Sequence, residues 1–93
     1  MQVIWSKKAD ITFGVILDTI EAKYGKRVTL KFILKVNTVV TSIKKQPLQF
    51  KSSSKFLNVR KATINKQCSL FYEINKTDIH LLYFWDNRQE PID

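Results

Sequence analysis

A glycine separates two hydrophobic stripes of helical period in this chain. Phe13, Ile16, Leu17, Ile20 and Tyr24 recur at steps of three and four, the spacing that lines one face of an α-helix. Gly25 interrupts the pattern. Val28, Phe32, Ile33, Val36, Val40 and Ile43 then resume it, and Pro47 stops it. Asp10, Asp18 and Glu21, and later Lys31, Lys35 and Lys44, fall mostly off the stripes. The β-branched Thr29, Val39 and Thr41 lower the propensity of the second segment, but its periodicity outweighs them. Ser6 stands where an N-cap belongs, and Gly25 where a helix ends in a left-handed residue. With a link of one or two residues, two such helices fold back as an antiparallel hairpin.

The flanking segments read differently. Residues 2–5, Gln-Val-Ile-Trp, are rich in β-formers and predict a short strand. Residues 47–57, with three serines and two lysines, predict a loop. Three strands follow at 58–64, 68–75 and 79–86, joined by turns at 65–67 and 75–78, and turns this short imply antiparallel hairpins. In the last strand Ile79, Leu81, Tyr83 and Trp85 alternate with His80, Leu82, Phe84 and Asp86. Both sets are largely apolar, so the strand is expected near the centre of the sheet, with Trp85 as core. The order β-α-α-β-β-β segregates helices from most of the strands, which defines an α+β class. The expected architecture is a helical hairpin on one face of a small, mainly antiparallel, four-stranded sheet, with the other face open.

The chain has 93 residues, enough for one domain spanning 1–93 and too few for a fold such as a TIM barrel, which needs about 250. Its hydrophobic fraction of 44% is that of a folded domain and not of a disordered tail. One cysteine, Cys68, makes no internal disulfide, and no secretory signal opens the sequence, so the cytoplasm is expected. No apolar run is long enough to span a membrane. One Cys and one His offer no metal-ligand spacing; neither metal nor cofactor is expected.

Sixteen Lys and Arg against eight Asp and Glu give a formal net charge of +8. A small basic domain typically meets an anionic partner. Between Lys44 and Tyr72 the cations are Lys44, Lys45, Lys51, Lys55, Arg60, Lys61 and Lys66, with no acid among them. Such a one-sign patch attracts a phosphate backbone or an acidic peptide, or simply solvates the strands. Lys51, Lys55, Arg60, Lys61, Lys66, Asn87 and Arg88 are the candidate binding residues. Arg88 follows the last strand, where its planar guanidinium suits phosphate or carboxylate, or pairs with Asp86 or Glu90. General acid–base catalysis usually uses His or paired carboxylates. The single histidine, His80, reads as structural. Cys68 has Lys66 nearby to lower its pKa but no histidine partner by spacing. A basic cleft without either still cleaves RNA if the 2′-hydroxyl supplies the nucleophile and Arg60, Lys61 and Arg88 stabilise the developing charge.

The opening Val-Ile-Trp-Ser-Lys-Lys-Ala, the Val59-Arg60-Lys61 strand, the Leu70-Phe71-Tyr72-Glu73-Ile74 strand and the closing Leu82-Tyr83-Phe84-Trp85-Asp86-Asn87-Arg88-Gln89-Glu90-Pro91, in that order, resemble the RelE/ParE superfamily of bacterial toxins over essentially the whole chain. The resemblance implies the toxin of a type II toxin–antitoxin pair: small, basic, cytoplasmic, growth-inhibiting and held inactive by a cognate antitoxin. ParE-like members inhibit DNA gyrase; RelE-like members are mRNA interferases that cut message on the ribosome. Plasmid stabilisation, and contact with operator DNA through the antitoxin complex, belong to the same picture. For the nuclease branch, the strand cations are met by Arg60 and Lys61, and the arginine after the last strand by Arg88. A second arginine is often found where this chain has Ser69, and a terminal Tyr or His-Tyr where it has Gln89-Glu90-Pro91-Ile92-Asp93. The long hairpin looks more like the ParE branch. Three functions follow as expectations: a toxin acting by binding, an RNA endonuclease, and a non-toxic nucleic-acid-binding module.

Overall fold

The computed structural model describes residues 1–89. The elements run β1 (Gln2–Trp5), a helical segment α1 (Lys7–Lys45), a single 3-10 turn (Pro47–Gln49), β2 (Lys51–Ser52), β3 (Val59–Asn65), β4 (Cys68–Ile74) and β5 (Asp78–Asp86). The α+β class holds, with five strands in place of four: β2 arises inside the expected loop, where Lys51 and Ser52 pair with Lys61 and Arg60.

The helical segment is broken at Gly25, with φ 84° and ψ −179°. The positive φ was expected, but this ψ lies in the extended mirror region that only glycine enters without strain, rather than in the left-handed cap. The two arms, residues 7–24 and 26–45, therefore reverse direction. A continuous helix would hold Phe13 and Phe32 roughly 28 Å apart; their rings stack at 6.3 Å. Thr29 Oγ1 donates to the Gly25 carbonyl at 2.9 Å and ties the start of the second arm to the break.

The sheet order is β1-β5-β4-β3-β2. β1 pairs parallel with β5, and the other pairs are antiparallel. The first arm supplies Ala9 and the second Phe32, Val36, Val39 and Ile43 to a core completed by Ala62, Ile64, Leu70, Tyr72, Ile79, Leu81 and Phe84. Trp5, Phe13 and Phe84 form an aromatic knot, with Phe13 5.1 Å from Phe84 and 5.4 Å from Trp5.

A bulge sets which side chains of β5 join this core. Phe71 pairs with Tyr83 but Tyr72 pairs with Leu81, leaving Leu82 as the extra residue. The alternation restarts there, so Ile79 and Leu81 face the hairpin before the bulge and Phe84 after it. Trp85, expected with Ile79 and Leu81, lies outside the core cluster. Helix α1 satisfies the β5 backbone beyond the end of β1. Ser6 N–H donates to the Leu81 carbonyl (3.0 Å) and its hydroxyl to the Leu82 carbonyl (2.8 Å), while Ser6 Oγ accepts from Ala9 N–H (2.9 Å) as the expected N-cap. The Phe84 N–H donates to Thr12 Oγ1 at 2.9 Å. Among the described residues no helix is long and apolar enough to cross a membrane.

Candidate functional site on the open sheet face

On a pleated strand, neighbouring residues point to opposite faces. Ala62 and Ile64 of β3 are in the core, so Lys61 and Thr63 face away from the hairpin. The register aligns Lys51, Lys61, Phe71 and Tyr83 across β2, β3, β4 and β5 in one transverse row on that open face. The row is continuous. The Phe71 and Tyr83 rings stack at 4.9 Å, Lys61 Nζ sits 5.9 Å from the Phe71 ring centre, and Lys8 Nζ lies 4.7 Å from that of Tyr83. Both lysines thus lie against the negative faces of aromatic rings. Phe71 is only 2% exposed although no helix covers it.

At the β2 end, Lys51 stands directly opposite Lys61. Like charges in that position repel, and no acid is bonded to either among the described residues. The two lysines border a cleft of about 190 Å³ that Ser54 and Thr63 also line. Cations and hydroxyls around a small concavity suit an anionic oxygen ligand. In the next row, Thr63, Ser69 and Trp85 align. Ser69 is fully buried and exchanges hydrogen bonds with the Asn87 side-chain amide, at 3.1 Å to Oδ1 and 2.9 Å from Nδ2. Asn87 also donates to the Lys66 carbonyl at 3.4 Å, so it braces the turn beside the face.

The other anticipated residues go elsewhere. Arg60 faces the hairpin side, opposite Tyr72. Its Nη1 donates to the Phe50 carbonyl at 2.6 Å and the Leu48 carbonyl at 3.2 Å, and the Tyr72 hydroxyl donates to the Pro47 carbonyl at 2.5 Å. Together they pin the 3-10 turn and its exit to the sheet. Burial pushes the Tyr72 phenol up to about 12, against a smaller lowering by Arg60. Arg88 folds back on Asp86, with Nη2 2.7 Å from Oδ2 and Nε 3.0 Å from Oδ1. The hydrogen bonds from Arg88 hold the Asp86 carboxyl below its ordinary range. Asp86 is opposite Cys68, a core residue, so this pair lies at the hairpin side of the sheet. Lys55 and Lys66 are exposed in the loop before β3 and the turn after it. Arg60, Lys61 and Arg88 therefore do not converge.

Cys68 is buried, and burial first, then the Asp86 charge, raises its thiol to about 12. It is not a thiolate at neutral pH, contrary to the pull expected from Lys66. His80 Nε2 pairs with Asp78 Oδ1 at 2.8 Å. No group of residues among those described is arranged to hold a metal ion. Glu90, Pro91, Ile92 and Asp93, where a terminal Tyr was sought and an alternative partner for Arg88 lay, are outside the described residues. Sequence reasoning does not single out Phe71 or Tyr83, because most aromatics of this chain sit on periodic apolar stripes and read as core, nor Lys8, which meets Tyr83 only through the fold.

No protein-family model and no curated protein matches the sequence. Solved structures do match. The fold superposes on a chain of the chromosomal ParDE TA system from P. aeruginosa at TM-score 0.78 and 20% identity, covering 92% of this chain and 95% of that one. It superposes on the YoeB/ParE toxin from Agrobacterium tumefaciens at 0.66 and 9% identity, covering 92% and 98%. For the E. coli DinJ-YafQ complex the values are 0.64 and 10%, covering 94% and 93%. The chain shares the fold of these ParDE, YoeB/ParE and YafQ structures, in agreement with the fold that the sequence resemblance implied.

Proposed function

We propose that this chain is the toxin of a type II toxin–antitoxin pair, acting in the ParE manner by binding DNA gyrase and neutralised by a cognate antitoxin. The observation that carries the binding mode is the divergence of the three cations a nuclease would gather: Arg60 braces the 3-10 turn, Lys61 lies on the open face, and Arg88 is forked onto Asp86. The higher TM-score to the ParDE chain, 0.78 against 0.64 for YafQ, agrees with this branch. On this reading the row Lys51, Lys61, Phe71, Tyr83 is the target-facing surface, with Lys55, Lys66 and Asn87 beside it, in a cytoplasmic protein whose antitoxin complex contacts operator DNA.

A second reading, a ribosome-dependent mRNA endonuclease, is favoured by the Lys51–Lys61 cleft with its hydroxyls. Cations there neutralise a phosphodiester while the RNA 2′-hydroxyl attacks. Induced expression in a bacterial host separates the two. Altered plasmid supercoiling with intact mRNA, and inhibition of purified gyrase by the purified chain, support the binding toxin. Translation-dependent new 5′ ends in mRNA support the nuclease and overturn the first reading. Normal growth with both assays silent overturns both.

A further inference from the structure

The first arm outruns the sheet it covers. Thr12 is tied to β5 at the Phe84 N–H, and Ile16, Ile20 and Tyr24 follow it in steps of four, on the same helix face. From Thr12 to Tyr24 the helix axis rises about 18 Å. β5 ends at Asp86, only about 7 Å beyond Phe84. Between the overhanging arm and the end of the sheet lies a cavity of about 310 Å³. Buried Phe32, Cys68 and Phe84 line it, together with half-buried Ile16 and Ile20. Burial keeps the Cys68 thiol protonated, so there it acts as a small apolar group. Phe84, Cys68 and Asp86 place the cavity on the hairpin side of the sheet, away from the lysine–aromatic row.

The rim has a different chemistry from these walls. Among the described residues its charged groups are Lys23, Asp86 and Arg88, two cations against one acid. Asp86 is already engaged by Arg88 Nε and Nη2. A guanidinium carries five N–H donors, and those on Nη1 bond to none of the described residues. Lys23 is exposed and forms no ion pair among those residues, yet it is near enough for its charge to help lower the Asp86 carboxyl pKa. The rim therefore offers N–H donors and one unit of positive charge beside an apolar interior. Size narrows the occupant further. A cavity of roughly 150 Å³ admits a benzene ring, so twice that volume takes an apolar body of about eight carbons. Ligand sites begin at roughly 300 Å³, which makes this one suited to a small molecule and not to a helix.

We propose that this cavity binds a small monocarboxylate, its apolar body against Ile16, Ile20, Phe32 and Phe84 and its carboxylate on Arg88 and Lys23. The planar, two-oxygen head matches the guanidinium fork, and its single charge matches the surplus at the rim. A neutral alcohol leaves that charge unanswered, and an ammonium head is repelled by it. Burying the body supplies the affinity, and the head fixes the orientation. Bound in this way, the ligand ties the far end of the first arm to the end of β5. The site stands whether or not the toxin reading does.

The test titrates the full chain with octanoate and follows its methyl groups by NMR. Saturable shifts are expected at Ile16 and Ile20, with a rise in the thermal midpoint because the ligand binds only the folded state. Octanoate should bind about tenfold tighter than 1-octanol, the gain of a charge-assisted pair, and octylamine should bind more weakly than either. Acetate, the head without the body, should produce no shifts. Ile20→Phe fills the cavity and should abolish the saturable shift at Ile16. Arg88→Gln with Lys23→Gln, both exposed, should bring octanoate to the level of 1-octanol or below; circular dichroism checks that each variant is folded. Equal affinity for octanoate, 1-octanol and octylamine, no saturable binding, shifts confined to the open sheet face, octanoate binding unchanged in either folded variant, or contacts showing that the chain itself fills the cavity would each overturn the proposal.

Discussion

Two neighbouring rows of side chains cross the sheet, and they have opposite fates. One runs Lys51, Lys61, Phe71 and Tyr83 on the open face. The other runs Ser52, Arg60, Tyr72, Leu81 and Trp5 on the hairpin side, one residue along β2, β3 and β4 and two along β5, where the bulge at Leu82 intervenes. In the second row, Tyr72 and Leu81 are fully buried, and Arg60 is spent on two carbonyls of the 3-10 segment and its exit. In the first, two lysines face each other without an acid, and a ring pair continues the row. Arg60 and Lys61 are adjacent basic residues, yet one holds the fold together and the other offers its charge outward. Basic residues in a strand are thus not interchangeable evidence of a binding site; the face decides.

The largest expected effect lies in the hairpin-side row. Leu81→Ala leaves a cavity against Trp5 and the first arm and should destabilise by about 3 kcal/mol, read as a drop in thermal midpoint. Arg60→Ala should cost about 1–2 kcal/mol, because two carbonyls lose a charged donor; if it is neutral, the staple is not real. Tyr72→Phe should cost about 1 kcal/mol through the lost bond to Pro47. Lys61→Ala should change stability by less than about 0.5 kcal/mol. Under the toxin reading, Lys51→Glu with Lys61→Glu should nevertheless abolish growth arrest in a folded protein. Unchanged arrest would remove the open row from the site. Reversing Arg60 together with Lys61 would confound the two effects.

The smallest effect is acidic. Asp86 is held low in the folded state by Arg88. Its stabilising contribution is complete above the ordinary Asp pKa of about 3.9 and disappears as pH falls through the lowered folded value. Arg88 is exposed and Asp86 only half-buried, so solvent screens the pair, and Asp86→Asn should shift the stability curve only slightly, and only through loss of that acid limb.

The hairpin, its cap at Ser6 and the three long strands were legible because periods of 3.6 and 2 are written in their apolar residues. The two faces of β3 were also legible, since Ala62 and Ile64 are apolar where Lys61 and Thr63 are not; grouping Arg60 with Lys61 by charge concealed it. β2 was not, because Lys-Ser has no strand preference and exists as a strand only by pairing with β3. Nor was the bulge at Leu82: every residue from Ile79 to Trp85 except His80 is apolar, so the composition carries no mark of where the alternation restarts.

The parallel pairing of β1 with β5 joins Gln2 to Asp78. During synthesis the hairpin is complete long before the strand that gives it a surface to cover. Until β5 emerges, Trp5 and Phe13 lack Phe84 and Leu81, and the sheet lacks the strand that connects its first edge to the rest. Such separation in sequence slows folding, and a nascent chain released from the exit tunnel before β5 would carry two apolar faces and no core. Whatever this protein does, it does only after residue 86 has been made.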